Sequence, residues 1–116
     1  MTITRSTRNA LLVALLAWAA PLLASQAPAD LDGLKAAAER GDAESQYQLG
    51  VRYATGNGIA TDDAQAARWI EKAATQGHVG AQFDLGLMYA DGNGVPQDSA
   101  TAVSWLRKAA DQTDYQ

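Results

Sequence analysis

From residue 30 onward, small and apolar residues recur at steps of three and four. Leu31, Leu34 and Ala38 fall at that spacing, Leu49 and Tyr53 sit four apart, and Ala64, Ala67, Ala73 and Ala74 surround a single large side chain, Trp69. A period near 3.6 places such residues on one face of a helix. Each periodic run is bounded by helix punctuation. Asp42, Asp62 and Asp98 stand where an N-cap carboxylate would accept a free backbone N–H. Gly41, Gly56-Asn57-Gly58, Gly77 and Gly92-Asn93-Gly94 stand where the chain must leave the helix. The pattern predicts helices over 30–40, 42–55, from Asp62 to Gly77, over 79–90 and over 98–111, with no strand.

The pattern repeats. Leu49-Gly-Val-Arg-Tyr53 returns as Leu85-Gly-Leu-Met-Tyr89, 36 positions later. The same offset places Gln46 on Gln82, Asp62 on Asp98, Trp69 on Trp105, Lys72-Ala73-Ala74 on Lys108-Ala109-Ala110 and Gln76 on Gln112. A fixed period of this length marks a protein built by stacking like units, each one supersecondary element that cannot bury its apolar face alone. Two complete units, 42–77 and 78–113, are expected. Before them, Leu34, Ala37, Ala38 and Gly41 match Ile70, Ala73, Ala74 and Gly77, so 30–41 reads as the second half of a unit and acts as an N-terminal capping helix. Residues 114–116 are a tail, and the last face of the stack is expected to be open near Leu106. Glycine within a helix, at Gly50 and Gly86, costs about 1 kcal/mol against alanine. Its recurrence implies that a neighbouring helix approaches too closely for a side chain.

The first 29 residues differ in kind. Arg5 and Arg8 precede the apolar run Leu11–Ala20, followed by Pro21 and then by Ala27-Pro28-Ala29. This order is that of a secretory signal peptide, with cleavage expected after Ala29. The run is shorter than the ~20 apolar residues a spanning helix requires. Export across an inner membrane to the periplasm is therefore expected, with an extracellular destination as the alternative. All thirteen acidic residues but only seven of the nine basic ones lie beyond residue 29. Such an acidic chain with no basic cluster is a poor binder of nucleic acid. It contains no cysteine and one histidine, His78. A disulfide framework, a Cys–His pair and a multi-histidine metal site are thereby excluded. His78 falls in the turn between units and is read as an exposed turn residue; Tyr47, Tyr53, Phe83, Tyr89 and both tryptophans are read as core.

These residues resemble the Sel-one-like repeat (SLR) family, a relative of the tetratricopeptide repeat. The resemblance is carried by Gln46, Tyr47, Leu49, Gly50, Tyr53, Gly56, Gly58, Ile59, Asp62, Ala66, Trp69, Lys72, Ala73, Ala74 and Gly77. The second copy carries it at Ala81, Gln82, Phe83, Leu85, Gly86, Tyr89, Gly92, Gly94, Val95, Asp98, Ala102, Trp105, Lys108, Ala109 and Ala110, with Thr113 in place of the closing glycine. It implies an all-α fold, an α-α superhelix (solenoid) of stacked antiparallel helix pairs, about two and a half repeats long. It also implies a non-catalytic scaffold or adaptor for protein complexes in the bacterial envelope, with no cofactor.

Positions that differ between the two copies point to the working surface. On the first helix of each unit these include Glu44/Gly80, Gln48/Asp84, Arg52/Met88 and Thr55/Asp91. Steps of three and four make them one stripe, and first helices of stacked hairpins line the concave side, where partners bind. Glu44, Gln48, Arg52, Thr55, Asp84, Met88 and Asp91 are therefore the candidate partner-binding residues. Arg52 is read as a forked donor and Met88 as an adaptable apolar contact. Two other functions are weighed. The open end face would allow self-assembly. Some family members are linked to penicillin binding and β-lactam hydrolysis, but the nearest approach to Ser-x-x-Lys is Ser104-Trp105-Leu106-Arg107, where arginine cannot serve as base.

Overall fold

A computed structural model describes residues 30–113. The expected leader over 1–29 and tail over 114–116 lie outside the described residues. Five helices follow in order: α1 Leu31–Glu39, α2 Ala43–Thr55, α3 Asp63–Thr75, α4 Val79–Asp91 and α5 Ser99–Thr113. Each packs chiefly on its sequence neighbours, so α2/α3 and α4/α5 are the two helix pairs and α1 covers the open side of α2. No strand occurs among the described residues. The chain is an α-α solenoid of stacked helix pairs.

The punctuation acts as its chemistry dictates. Asp42 accepts from the Ser45 N–H at 3.0 Å, Asp62 from Gln65 N–H at 3.1 Å, and Asp98 from Thr101 N–H at 3.2 Å. Each aspartate thus satisfies a donor that the first helical turn leaves unpaired. At the other ends, Gly56 and Gly92 take left-handed conformations with φ of 72° and 71°. Their N–H groups close onto the Arg52 and Met88 carbonyls. The Asp62 N–H then reaches the Tyr53 carbonyl at 3.0 Å, and Asp98 N–H reaches Tyr89 at 2.9 Å, fixing the return of each loop.

Among the described residues, two apolar clusters hold the stack. The larger joins Ala66, Ala67, Ile70, Ala73 and Ala74 of α3 to Ala81, Leu85 and Met88 of α4, with Tyr47, Tyr53, Tyr89, Val95 and Trp105 against it. The smaller joins Leu34 and Ala38 of α1 to Leu49 of α2, flanked by Leu31, Tyr53 and Trp69. Alanines bring the helix axes close, and Gly50 brings them closer still. A β-carbon at position 50 would lie 2.5 Å from Ile70 Cγ1 and 3.1 Å from the Ala66 carbonyl oxygen. At Gly86 it would lie 2.7 Å from Leu106 Cγ. Trp69 and Trp105 are half-buried, with the Lys72 and Lys108 ammonium groups 4.5 and 4.6 Å from the ring centres. The core reading of Phe83 is corrected: its side chain is 50% exposed. In the first unit, Tyr47 occupies the matching position and is covered by α4; among the described residues no helix lies over Phe83.

The buried glutamines explain why a polar residue recurs at an inner position. Gln46 donates to the Ala38 carbonyl at 3.1 Å, and Gln82 to the Ala74 carbonyl at 3.2 Å. Both carbonyls belong to the last turn of the preceding helix, where intrahelical donors run out. Gln76 in turn donates to Gln46 Oε1 at 2.8 Å, and Gln112 to Gln82 Oε1 at 2.8 Å. Each unit therefore carries one amide pair that links three helices and leaves no polar atom stranded in the core, which would otherwise be costly.

Candidate functional site

The first-helix face is formed by α2 and α4, which are bridged by two polar chains. Tyr47 donates its hydroxyl to Asp84 Oδ2 at 2.8 Å. Beside it, His78 stacks on the Tyr47 ring with centroids 4.5 Å apart. His78 is not the exposed turn residue that its position implies. It is the N-cap of α4: its Nδ1 accepts the Ala81 N–H at 3.0 Å. That bond leaves the ring proton on Nε2, which meets Glu44 Oε2 at 2.6 Å. Gln48 donates to the other Glu44 oxygen, Oε1, at 3.0 Å. The His78 bond, reinforced by Gln48, holds the Glu44 carboxyl below the usual glutamate range.

Burial, and then the hydrogen bond to Asp84 and its negative charge, push the Tyr47 hydroxyl up to about 12. A free tyrosine titrates near 10. Because the folded value is the higher one, this group's contribution to stability is complete below about pH 10 and is lost as pH rises through about 12. The side chain is only partly buried, so the contribution is about 1 kcal/mol or less after screening. Alkaline titration followed by phenolate absorbance is expected to show a tyrosine ionising near 12 that disappears in Tyr47→Phe.

The seven candidate residues separate in space. Thr55, Asp84 and Met88 come together, with Val51, Ala54, Ile70, Leu87 and Asn93, around a cleft of about 260 Å³ between α2 and α4. Glu44 and Gln48 belong to the His78 bridge. Asp91 is exposed at the end of α4. Arg52 is half-buried, and its Nη1 lies 3.7 Å from where a β-carbon on Gly58 would be, over its own loop rather than in the cleft lining. Met88 needs correction as an adaptable surface contact. It is 9% exposed and belongs to the larger core cluster, because α4 lies directly on Ala66, Ala67 and Ile70 of α3. It forms part of the cleft lining instead.

Sequence comparison missed Leu87, which is 43% exposed at this cleft. The signal was present, since Val51 stands at the matching position in the first copy and both are apolar. A second concavity, of about 580 Å³, is lined by Val79, Gly80, Phe83, Leu106, Ala109, Ala110 and Thr113 at the end of the α4/α5 pair. Among the described residues, no group of three or more His, Cys, Asp or Glu side chains is placed to hold a metal ion.

Helix pairs stacked at a 36-residue period define a solenoid repeat protein of the interaction-module kind. The Sel1 repeat family model matches residues 43–78 and 79–114, more than half of the chain. The chain belongs to the Sel1 repeat family. Its proteins are generally non-catalytic modules for protein–protein interaction.

Solved structures agree. A protective antigen of uropathogenic Escherichia coli strains displaying an SLR fold is 47% identical over 73% of this chain, with a TM-score of 0.70. A Sel1 repeat protein from Oxalobacter formigenes is 37% identical over 70% of the chain, with a TM-score of 0.69. Cysteine rich protein B of Helicobacter pylori is 25% identical over 72%, with a TM-score of 0.68. The present chain spans only 18%, 62% and 63% of those three proteins. Comparison with curated proteins finds no match.

Proposed function

We propose that this chain is an exported adaptor that binds a protein partner on the α2/α4 face, in the periplasm of a Gram-negative cell. The export part rests on the order Arg5, Arg8, Leu11–Ala20 and Ala27-Pro28-Ala29. The observation that carries the binding part is the cleft between α2 and α4. It gathers Thr55, Asp84 and Met88, three positions at which the two copies differ, beside the exposed Leu87. Two of the three, Thr55 and Asp84, stand outside the buried core clusters.

A photo-crosslinking residue at position 87 is expected to capture a defined protein from envelope extract, whereas the same residue at exposed Arg107 on α5 is not. Capture at 107 alone would move the site off this face, and capture at neither would remove the adaptor reading. A second reading, pairing of copies through Phe83 and Leu106, draws on the exposure of that end face. Light scattering separates the two: a strict monomer with a cooperative melt removes self-assembly.

A further inference from the structure

We propose that the α2–α4 cleft recognises a protein segment in which an aliphatic side chain stands next to a lysine or arginine. This rests on the adaptor reading and names the chemistry of its partner. The first argument is size. At about 260 Å³ the cleft falls below the roughly 300–1,000 Å³ of small-molecule sites, so it seats a side chain rather than a cofactor.

The second argument is lining. Val51, Ala54, Ile70, Leu87 and Met88 are apolar, and Leu87 remains 43% exposed. An aliphatic group entering here removes apolar surface from water on both sides, worth roughly 25 cal/mol per Å².

The third argument is charge. Asp84 is the charged residue in the cleft lining, and its Oδ2 accepts the Tyr47 hydroxyl. On the same α4 stripe, two turns further along, stands exposed Asp91. The cation that the sequence places on this face, Arg52, lies over Gly58 instead of in the cleft. At the far end of the α2 stripe, His78 and Glu44 are bonded to each other, 2.6 Å apart. Among the described residues no cation lines the cleft, which is thus an apolar seat beside a carboxylate. A segment with an acidic neighbour would meet repulsion at Asp84, whereas a basic neighbour would pair with it.

The test is an NMR titration of the purified full chain with three blocked tetrapeptides, Ala-Leu-Lys-Ala, Ala-Leu-Glu-Ala and Ala-Ser-Lys-Ala. The Leu-Lys peptide is expected to shift the methyl resonances of Val51, Leu87 and Met88. The other two are expected to bind about tenfold more weakly, a difference of about 1.4 kcal/mol. Asp84→Asn retains an oxygen acceptor for the Tyr47 hydroxyl while removing the charge. It should weaken the Leu-Lys peptide up to about fivefold, the range of an exposed ion pair, and abolish the salt dependence of its binding. Leu87→Ser, at an exposed position, should weaken both leucine peptides. Equal binding of the Leu-Lys and Leu-Glu peptides, shifts at Phe83 and Leu106 instead, or no shift with any peptide would each overturn the proposal. If position 87 still captures a partner in the crosslinking experiment, such a failure sinks this specificity alone; if it captures none, the adaptor reading falls with it.

Discussion

Replacing Leu85 with alanine is expected to lower the unfolding free energy by about 3–4 kcal/mol, in the upper half of the range for buried leucine-to-alanine changes. Leu85 is fully buried and one of the two largest side chains so enclosed. It lies in the cluster where α3 meets α4, and its neighbours there include Ala66, Ala67, Ala73, Ala74 and Ala81. Alanine has no rotamer with which to move into a void, so the cavity persists and the surrounding dispersion contacts are lost outright. Leu49→Ala is the control. Leu49 is equally buried, but its partners Leu34, Leu31, Tyr53 and Trp69 carry longer side chains that can relax. Its loss is expected to be about 2 kcal/mol. Urea unfolding should show the midpoint falling for both with the slope unchanged. Against the 5–15 kcal/mol typical of whole domains, the Leu85 change consumes much of the margin. A Leu85→Ala loss under about 1 kcal/mol would show that the α3–α4 seam is not the main core.

Gly94→Ala is expected to cost about 3 kcal/mol, and Gly58→Ala about 1 kcal/mol, although the two glycines are equivalent in the repeat. Both hold nearly the same left-handed backbone, with φ of 77° at Gly58 and 78° at Gly94. Left-handed strain alone is worth roughly 1–2 kcal/mol for a residue with a β-carbon. At Gly58 that is the main effect, because the nearest atom to an added β-carbon is Arg52 Nη1 at 3.7 Å. At Gly94 the added carbon would fall on the carbonyl of Asp63, with the Ala64 nitrogen 3.4 Å away. Those are backbone atoms at the start of α3, and they cannot swing aside as a side chain does. The second loop therefore docks on the preceding unit, and its displacement would loosen the seam between units. Equal losses for the two variants in the same urea experiment would refute this inter-unit contact.

The Gly58/Gly94 pair shows how far a repeat can be read from its own text. Equal residues at equal positions announce an equal local backbone, and the two loops do share one. They do not announce equal surroundings. The same holds for Tyr47 and Phe83, one covered by α4 and bonded to Asp84, the other half exposed. It holds for Arg52 and Met88 as well, one lying over its own loop and the other packed in the core. His78 matches Asp42, and both are N-caps. The shared role is present in the alignment of the copies, but a histidine nitrogen is a rarer N-cap acceptor than a carboxylate, so sequence alone makes His78 a turn residue.

Among the candidate residues, the sequence located the stripe but not its division. Steps of three and four place Glu44, Gln48, Arg52 and Thr55 on one side of α2, and that much is helical geometry. Which of them turn to a bridge or a cleft depends on residues distant in the chain: His78, 34 positions on, for Glu44 and the α4 residues that stand beside Thr55. The amide pair of Gln46 and Gln76 was likewise visible only as two recurring glutamines.

What the sequence by itself determined is the helical period, the N-caps at Asp42, Asp62 and Asp98, the glycine exits, the 36-residue unit and hence the family and its solenoid. These are short-range properties, set by interactions within one or two turns and restated in each copy. What only the tertiary structure decided is which equivalent positions are buried, bridged or exposed. Each unit's environment is supplied by its neighbours, and α2 rests on α1 while α4 rests on the full-length α3. Residues repeated along the chain thus acquire unequal contacts in space.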